Sequence, residues 1–148
     1  MRNFLLLLLL IAVLALVGFL VFRVIPGVPT ERQTLTIHGT QFIVDVVRSP
    51  IAQARGLSGR PALTSNTGML FSFDEPQQIG FWMKDMLFPI DIIWIVNNHV
   101  IDFVERAAPD DRPERTIYYP SAPVDAVLEV LSGTVAHVGI QVGDEVRF

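Results

Sequence analysis

A stretch of mostly apolar and aromatic residues, GFWMKDMLFPIDIIWI at positions 80–95, constrains the fold of this chain most strongly. It holds one lysine and two aspartates in a run that is otherwise suited to burial. Buried charges are costly unless they are paired or hydrogen-bonded. In residues 90–96, apolar side chains occupy both faces of the period-two alternation, which is typical of a central strand covered on both sides. Asp91 is therefore predicted to point into a dry region, where its carboxylate needs a cation or several N–H donors.

The rest of the C-terminal part predicts short strands joined by turns. Residues 33–46 alternate apolar and polar side chains around His38-Gly39, which predicts a β-hairpin with one buried face. Ser49-Pro50 is a typical helix start, and a helix is expected over 50–57. Further strands are expected at 68–73, 79–83, 90–96, 100–104, 124–131 and 145–148, with turns at 74–76 and Asn97-Asn98, a loop at 107–115 of the kind that often borders a site, and a helical turn at 133–138 ended by Gly139.

These elements favour an α+β, β-rich fold over residues 33–148. The domain is expected to be a single small, closed or partly closed barrel of about eight mostly antiparallel strands with two short helices.

An unbroken apolar run of nineteen residues, 4–22, precedes this domain. As a helix it would be roughly 28 Å long, close to the thickness of the hydrocarbon core of a bilayer. A cleavable signal peptide normally has a shorter apolar region that ends in small residues, whereas large apolar side chains continue here past Ala15. We therefore expect residues 1–25 to be a retained transmembrane anchor followed by a linker at 26–32, with signal cleavage as the alternative.

The anchor leads to a predicted location. The few residues before the apolar run are easily left in the cytoplasm, so a single-pass protein is expected with its domain outside the cytoplasmic membrane. If the envelope has two membranes, the domain would lie in the periplasm. After signal cleavage it would be secreted. Nine basic and fifteen acidic residues follow residue 30, a formal charge of −6. Such a domain lacks the basic footprint expected for nucleic acid or anionic lipid. The expected partners are the membrane, through residues 4–22, and a small polar ligand or an envelope protein.

Four charged residues in apolar surroundings are the candidates for a site. Glu129 and Asp91 each share a predicted strand face with apolar residues. Lys84 is the single lysine of the chain, and Arg55 lies near the end of the predicted helix. One interpretation is that these residues form structural ion pairs that hold loops to the barrel.

A second interpretation is that the same four residues line a pocket for a small polar ligand, rimmed by Trp82, Tyr119 and Ser121. Catalysis by Lys84 or Asp91 is a third, but no motif such as G-x-S-x-G, S-x-x-K or H-E-x-x-H accompanies them, and no catalytic residue is assigned. The histidines lie far apart without metal-ligand spacing, so neither a metal site nor a cofactor is predicted. The functional hypotheses are thus a ligand-binding domain of the envelope, an interaction module with a structural charged motif, or a hydrolase-type enzyme.

An ordered series of short motifs resembles a widespread prokaryotic family, domain of unknown function 192. The resemblance covers residues 33–148 and is carried by Arg55-Gly56-Leu57 with Arg60, Gly68-Met-Leu-Phe71, Phe81-Trp-Met-Lys84, Pro89-Ile-Asp-Ile92, Tyr119-Pro-Ser121, Val127-Leu-Glu129 and Gly139 with Gly143-Asp144. It implies a small β-rich domain, often behind a signal or anchor, and implies no catalytic or ligand residues.

The sequence departs from the family pattern at three positions. Asp85 stands where asparagine is common, Met86 where threonine is common, and Ser58 where methionine is common. A carboxylate beside Lys84 disfavours a neutral, nucleophilic lysine, which weakens the catalytic interpretation.

Overall fold

The computed structural model describes residues 31–148, which form nine strands and two short helices. The strands are β1 (Glu31–Ile37), β2 (Thr40–Val47), β3 (Thr67–Gln77), β4 (Phe81–Trp82), β5 (Ile90–Val96), β6 (His99–Ala107), β7 (Ile117–Tyr118), β8 (Val124–Leu131) and β9 (Val146–Arg147), and the helices are α1 (Pro50–Arg55) and α2 (Thr134–Val138). The anchor expected at 4–22 lies outside the described residues. Within 31–148, no helix is long and apolar enough to cross a membrane.

Seven strands form one curled sheet in the order β6-β5-β8-β3-β2-β1-β9, and β4 pairs with β7 in a small separate sheet. All neighbouring pairs are antiparallel except β2 and β3, which are parallel and connected through α1. The two end strands meet where His99 forms a β-bridge with Glu145. There the N–H of Val146 donates to the carbonyl of Asn98 at 2.8 Å. The expected β-rich fold with two short helices is confirmed as a curled half-barrel.

Two hydrophobic cores lie on opposite faces of the sheet, because successive side chains of a strand point to opposite sides. We call them the α1 core and the α2 core after the helices that cover them. Fully buried members of the α2 core include Leu35, Ile37, Phe42, Ile93, Ile95 and Leu128. Fully buried members of the α1 core include Leu57, Met83, Ile90, Ile92 and Trp94. Since β5 contributes to both, its prediction as a central strand is confirmed.

The tight turns were correctly predicted from local residue preferences. His38 (φ 48°) and Gly39 (φ 77°) join β1 to β2, and Asn97 (φ 49°) and Asn98 (φ 61°) join β5 to β6. Two positive φ values in a two-residue turn match the right-handed twist of the flanking strands. Gly139, with φ 80°, ends α2 as expected.

Three expectations about the first half of the domain were wrong in detail. The turn expected at 74–76 is absent, because β3 continues to Gln77 and a shift of its register against β8 after Ser72 absorbs the extra residues. Residues 31 and 32, which were expected in the linker, already belong to β1. Furthermore, β2 is not buried on one face only, because Asp45 and Val47 are also buried.

The region between β3 and β5 also differs from the prediction. The strand expected at 79–83 is only two residues long. This strand pairs with β7, with Phe81 opposite Tyr118 and Trp82 opposite Ile117. Strand β7 was not predicted from the sequence.

Asp91 connects β5 to α2 through hydrogen bonds and not through a cation. Its carboxylate is fully buried and accepts the backbone N–H groups of Arg106 (2.8 Å), Gly133 (3.1 Å) and Val135 (2.9 Å). Gly133 and Val135 lie at the start of α2, where N–H groups have no partner inside the helix. Asp91 therefore caps α2 from another strand, and N–H donors satisfy it instead of a cation.

Replacing Asp91 by alanine is expected to lower the free energy of unfolding by about 3–5 kcal/mol, because three backbone N–H groups lose their acceptor. Urea unfolding followed by tryptophan fluorescence measures this loss. Asp125 is a matched control, because its carboxylate accepts the N–H of Asn97 at 2.9 Å at an exposed turn. Asp125→Ala should cost about 1 kcal/mol. Equal losses for the two variants would contradict the capping role.

Candidate functional site

A cleft of about 280 Å³ lies between α1, the loop that follows α1, and β4. Its wall is mostly apolar and includes Leu57, Phe71, Phe81 and Met86, while Glu129 reaches it from β8. Of the seven residues predicted for a site, the structure places three around this cleft: Arg55, Trp82 and Glu129.

Asp91 and Glu129 lie on neighbouring strands but point to opposite faces of the sheet. In the pairing of β5 with β8, Asp91 is opposite Val130, and Ile92 is opposite Glu129. Directly opposite residues share a face, so Glu129 lies with Ile92 on the α1 side while Asp91 lies with Val130 on the α2 side. The expectation that one pocket surrounds both carboxylates is therefore wrong, because their positions in the paired strands differ by one residue and they face opposite sides of the sheet.

Helix α1 forms one wall of the cleft and is fixed at its start and in its middle. Ser49 caps it, with its hydroxyl oxygen accepting the N–H of Ala52 at 3.3 Å. The side-chain amide of Gln53 donates to the carbonyl of Ser72 on β3 at 3.0 Å. These contacts hold the helix against the sheet and place Arg55, its last residue, beside the cleft.

Gly56 lets the chain turn closely over the floor of the cleft. It ends α1 with φ 51°, a conformation that favours glycine. A Cβ atom at this position would lie 3.3 Å from Cζ of Phe71 and 3.8 Å from Oε2 of Glu129. Glycine is thus favoured at position 56 by its positive φ and by the close approach of the backbone to the ring of Phe71.

Glu129 is the buried titratable group of the cleft. Its exposed fraction is 5%, and its Oε2 atom has no hydrogen-bond partner within residues 31–148. Burial raises the pKa of Glu129 to about 8, and the positive charge of Arg60 offsets this only in part. At neutral pH Glu129 is therefore mostly a neutral carboxylic acid, which can both donate and accept a hydrogen bond.

Asp45 occupies the same face but is satisfied by arginines. It lies opposite Met69, which in turn lies opposite Glu129, so the two acids flank one methionine. Burial opposes ionisation of Asp45, but hydrogen bonds from Arg60 (2.7 Å) and Arg32 (3.2 Å) outweigh it and lower its pKa. Arg60 is thus engaged by Asp45, which the sequence did not predict.

The small sheet of β4 and β7 forms the opposite rim. The rings of Phe71 and Phe81 pack edge to face with centroids 5.0 Å apart, which positions β4 over β3. Trp82 follows Phe81 and is 45% exposed at the rim. Its indole therefore offers a flat apolar surface beside the cleft.

Tyr119 and Ser121 lie outside the lining of the cleft. Tyr119 packs on Gly80, where a Cβ atom would come within 2.8 Å of its ring. It therefore contacts the rim at Gly80, which lines the cleft. Ser121 is exposed, and its N–H donates to the carboxylate of Asp102 at 3.1 Å.

A second depression adjoins the cleft, and we call it the cationic notch. It is lined by Ala54, Arg55, Ser58, Trp82, Lys84, Asp85 and Arg115. Lys84 is half exposed, and its Nζ lies 3.8 Å from a carboxylate oxygen of Asp85. Arg115 comes from the end of the loop that was expected to border a site, but no local pattern singled it out.

The structural ion pairs expected among the four candidate residues are not formed. Within residues 31–148, no ion pair joins any two of Arg55, Lys84, Asp91 and Glu129. The arrangement is instead an apolar cleft with a neutral acid at its floor and cations at one end.

Comparison with known proteins agrees with this fold. The family model DUF192, described as "Uncharacterized ACR, COG1430", matches residues 33–148. No curated protein matches the chain. The crystal structure of a "putative transcription regulator" from Sinorhizobium meliloti 1021 is similar with a TM-score of 0.76 and 26% identity, covering 82% of this chain and 97% of that one. That of a protein of unknown function from Novosphingobium aromaticivorans DSM 12444 is similar with a TM-score of 0.75 and 30% identity, covering 83% of this chain and 89% of that one.

The matched region makes up nearly the whole of both crystallised chains. In those two proteins the fold therefore forms with few residues beyond the matched region, and residues 31–148 are the corresponding fragment for measurements in solution.

Stability is expected to fall as pH rises from 4.5 to about 8. Folded Glu129 keeps its proton up to about pH 8, whereas the unperturbed group loses it near 4.5. Because the folded-state pKa is the raised one, the stabilising protonation is fully present below 4.5 and is lost as pH rises through 8. Each pH unit in this window costs roughly 1.4 kcal/mol, on the order of 5 kcal/mol in total.

Urea unfolding of fragment 31–148 and of its Glu129→Gln variant across this window tests the expectation. The difference between the two proteins cancels the titration of the histidines and of the other carboxylates. The difference in unfolding free energy should change by several kcal/mol in favour of glutamine as pH rises. Parallel curves for the two proteins would show that Glu129 is ionised in the folded state at neutral pH.

Proposed function

The chain belongs to the DUF192 family, and from that premise we propose that its β-domain binds a small organic molecule in the cleft. The apolar part of this ligand fills the cleft, and a polar group of the ligand meets Glu129. The observation that carries the proposal is the buried Oε2 atom of Glu129, which lacks a partner within residues 31–148 beside an open cavity. Buried polar groups are nearly always hydrogen-bonded, and a ligand in the cleft would supply this atom with a partner from outside the described part of the chain.

The size and lining of the cleft support a small ligand. Its volume of about 280 Å³ is roughly twice that of an apolar cavity that takes up benzene, near 150 Å³. Binding sites for small molecules are commonly apolar with a few polar groups that fix orientation. Here Glu129 supplies the polar group, and Trp82 provides a surface on which an apolar body can stack.

The protonation state of Glu129 favours a neutral partner. A carboxylic acid donates one hydrogen bond and accepts another, which suits a hydroxyl or a carboxamide. The Sinorhizobium meliloti relative is described as a "putative transcription regulator". The formal charge of −6 after residue 30 favours a small ligand for this domain over direct contact with nucleic-acid phosphates.

We further propose that residues 4–22 hold the domain at the outer face of the cytoplasmic membrane. The support is the unbroken apolar run of nineteen residues, long enough for a membrane span. In cells that make the full chain, we expect the protein to stay in the membrane pellet after alkaline carbonate extraction. The domain should be digested by protease added to intact spheroplasts. A shortened chain in the soluble fraction would mean that the segment is cleaved, and protection from the protease would place the domain inside.

Binding in the cleft can be tested with the ω-hydroxyamides of hexanoic and octanoic acid, which combine an alkyl body with neutral polar ends. Titration into ¹⁵N-labelled fragment 31–148 should shift the amide signal of Gly56 and the indole signal of Trp82, with millimolar dissociation constants typical of ligands this small. Ala54→Trp should abolish binding, because Ala54 is exposed and lines the cleft. The matched control is Ile51→Trp on the same helix, where the side chain is 82% exposed and lines neither depression.

The role of Glu129 is tested in the same titration. Glu129→Leu should weaken binding about tenfold, which corresponds to one lost hydrogen bond, while Glu129→Gln should retain most of the affinity. Shifts that persist in Ala54→Trp, or equal affinities for Glu129→Leu and the parent, would contradict the proposal.

A further inference from the structure

We infer that the cationic notch is a subsite for an anionic group at the far end of the same ligand. The ligand class is then an elongated organic anion with a hydroxyl or amide at one end, an apolar body, and a carboxylate or phosphate at the other end. This inference rests on the proposed function, because it assigns the second half of the molecule that fills the cleft.

The notch concentrates positive charge in a domain that is acidic elsewhere. Arg55, Lys84 and Arg115 line it, and Asp85 is the one carboxylate among its lining residues. The local formal charge is therefore positive, against −6 for the sequence after residue 30. A concave cluster of cations attracts and orients small anions.

Most other arginines of the domain are already neutralised by carboxylates. The ion pairs within residues 31–148 that involve arginine are Arg32–Asp45, Arg60–Asp45, Arg48–Glu31, Arg112–Asp110 and Arg147–Glu145. Arg55 and Arg115 form no such pair within the described chain. These two arginines of the notch are therefore available to an external anion.

Arg115 gives a second, independent indication of a missing acceptor. Its Nε atom is buried and has no hydrogen-bond partner within residues 31–148. A buried guanidinium N–H without an acceptor is destabilising, and charged donors form strong, often bidentate bonds with carboxylates and phosphates. Lys84 and Asp85, which both line the notch, form an ion pair that is long at 3.8 Å. An anion in the notch would meet the side chain of Arg115, one of its lining residues, without displacing a short ion pair.

The backbone around the notch is held in place by hydrogen bonds between three loops. The hydroxyl of Ser58 donates to the carbonyl of Lys84 at 2.9 Å, and the N–H of Gly59 donates to that of Asp85 at 2.8 Å. The N–H of Asp85 donates to the carboxylate of Asp111 at 2.8 Å. A preorganised site loses less conformational freedom when a ligand binds.

The two depressions adjoin, and the inference is that one molecule occupies both. They share Ala54, Arg55, Ser58 and Trp82, whereas Glu129 lines only the cleft and Lys84 and Arg115 line only the notch. The neutral polar end and the anionic end of the ligand are therefore bound by different residues, with Trp82 beside the apolar body between them.

A matched pair of probes separates this inference from the proposed function. The ω-hydroxy acids of hexanoic and octanoic acid differ from the amides used above by one negative charge. We expect the acids to bind fragment 31–148 about fivefold to tenfold more tightly at low salt, and the preference to shrink as salt screens the charges. The ω-hydroxyalkyl phosphates of the same lengths serve as a second anionic probe.

Two variants test whether the preference for acid over amide arises in the notch. Arg115→Gln and Lys84→Gln should each reduce the preference for acid over amide severalfold while amide binding stays unchanged, because neither side chain lines the cleft. Arg106→Gln is the matched control, since it removes the same charge from a residue that lines neither depression. It should leave the preference unchanged.

The anionic group could belong to a soluble metabolite or to a lipid headgroup. Cosedimentation of the fragment with phosphatidylcholine vesicles that contain phosphatidic acid, and not with phosphatidylcholine alone, would assign it to a lipid. Absence of cosedimentation, together with tight binding of the soluble acids or phosphates, would assign it to a soluble molecule.

Equal affinities for acids, phosphates and amides would overturn the inference while leaving the cleft as a binding site. The inference would also fail if Arg106→Gln reduced the preference as much as Arg115→Gln and Lys84→Gln. If no probe binds in a manner that Ala54→Trp abolishes, the proposed function itself fails.

Discussion

The register between β5 and β8 determines how this domain accommodates its two most deeply buried carboxyl groups. Because Asp91 is opposite Val130 and Ile92 is opposite Glu129, the acids point to opposite faces of one sheet. A slip of β5 by one residue against β8 would place Asp91 opposite Glu129, on the α1 side of the sheet, and would remove it from the start of α2. The position of α2 and the chemistry of the cleft floor therefore depend on the same ladder of backbone hydrogen bonds.

Three buried acids meet three different surroundings on this sheet. Asp91 receives three backbone N–H groups, and Asp45 receives two arginines. Within the described residues, Glu129 receives neither backbone N–H groups nor an arginine. Protonation is therefore the remaining way to lower the free-energy cost of burying it. Arg60, whose positive charge acts on Glu129, is held by Asp45 at 2.7 Å, so satisfying one acid leaves the other without an ionic partner.

Local preferences made the turns, the start of α1 and the double-faced strand β5 predictable. Asn97-Asn98 and Ser49-Pro50 act through their own backbone conformations, which do not depend on distant partners. The same reasoning failed at Asp74-Glu75-Pro76, which lies inside β3 at the point where its register against β8 shifts between Ser72 and Gln77. Asp91 and Glu129 look alike in sequence, and only a long-range register separates them. Arg115 was missed because its place beside the cleft is set by the path of a loop.

The buried carboxyl group of Glu129 lowers the stability of the fold near neutral pH, and packing at this position does not require a carboxyl group. A leucine would cover Met69 and Ile92 on this face without taking up a proton on folding, and the fold would then be indifferent to pH at this position. An acid that reduces stability at the floor of an open apolar cleft is characteristic of sites selected for binding and not for packing. A ligand that supplies a partner to Oε2 and covers the apolar wall would offset this cost. Bound in that way, its other end would lie beside cations that the domain leaves without short ion pairs, so the acid and the cations together select an elongated molecule with chemically different ends.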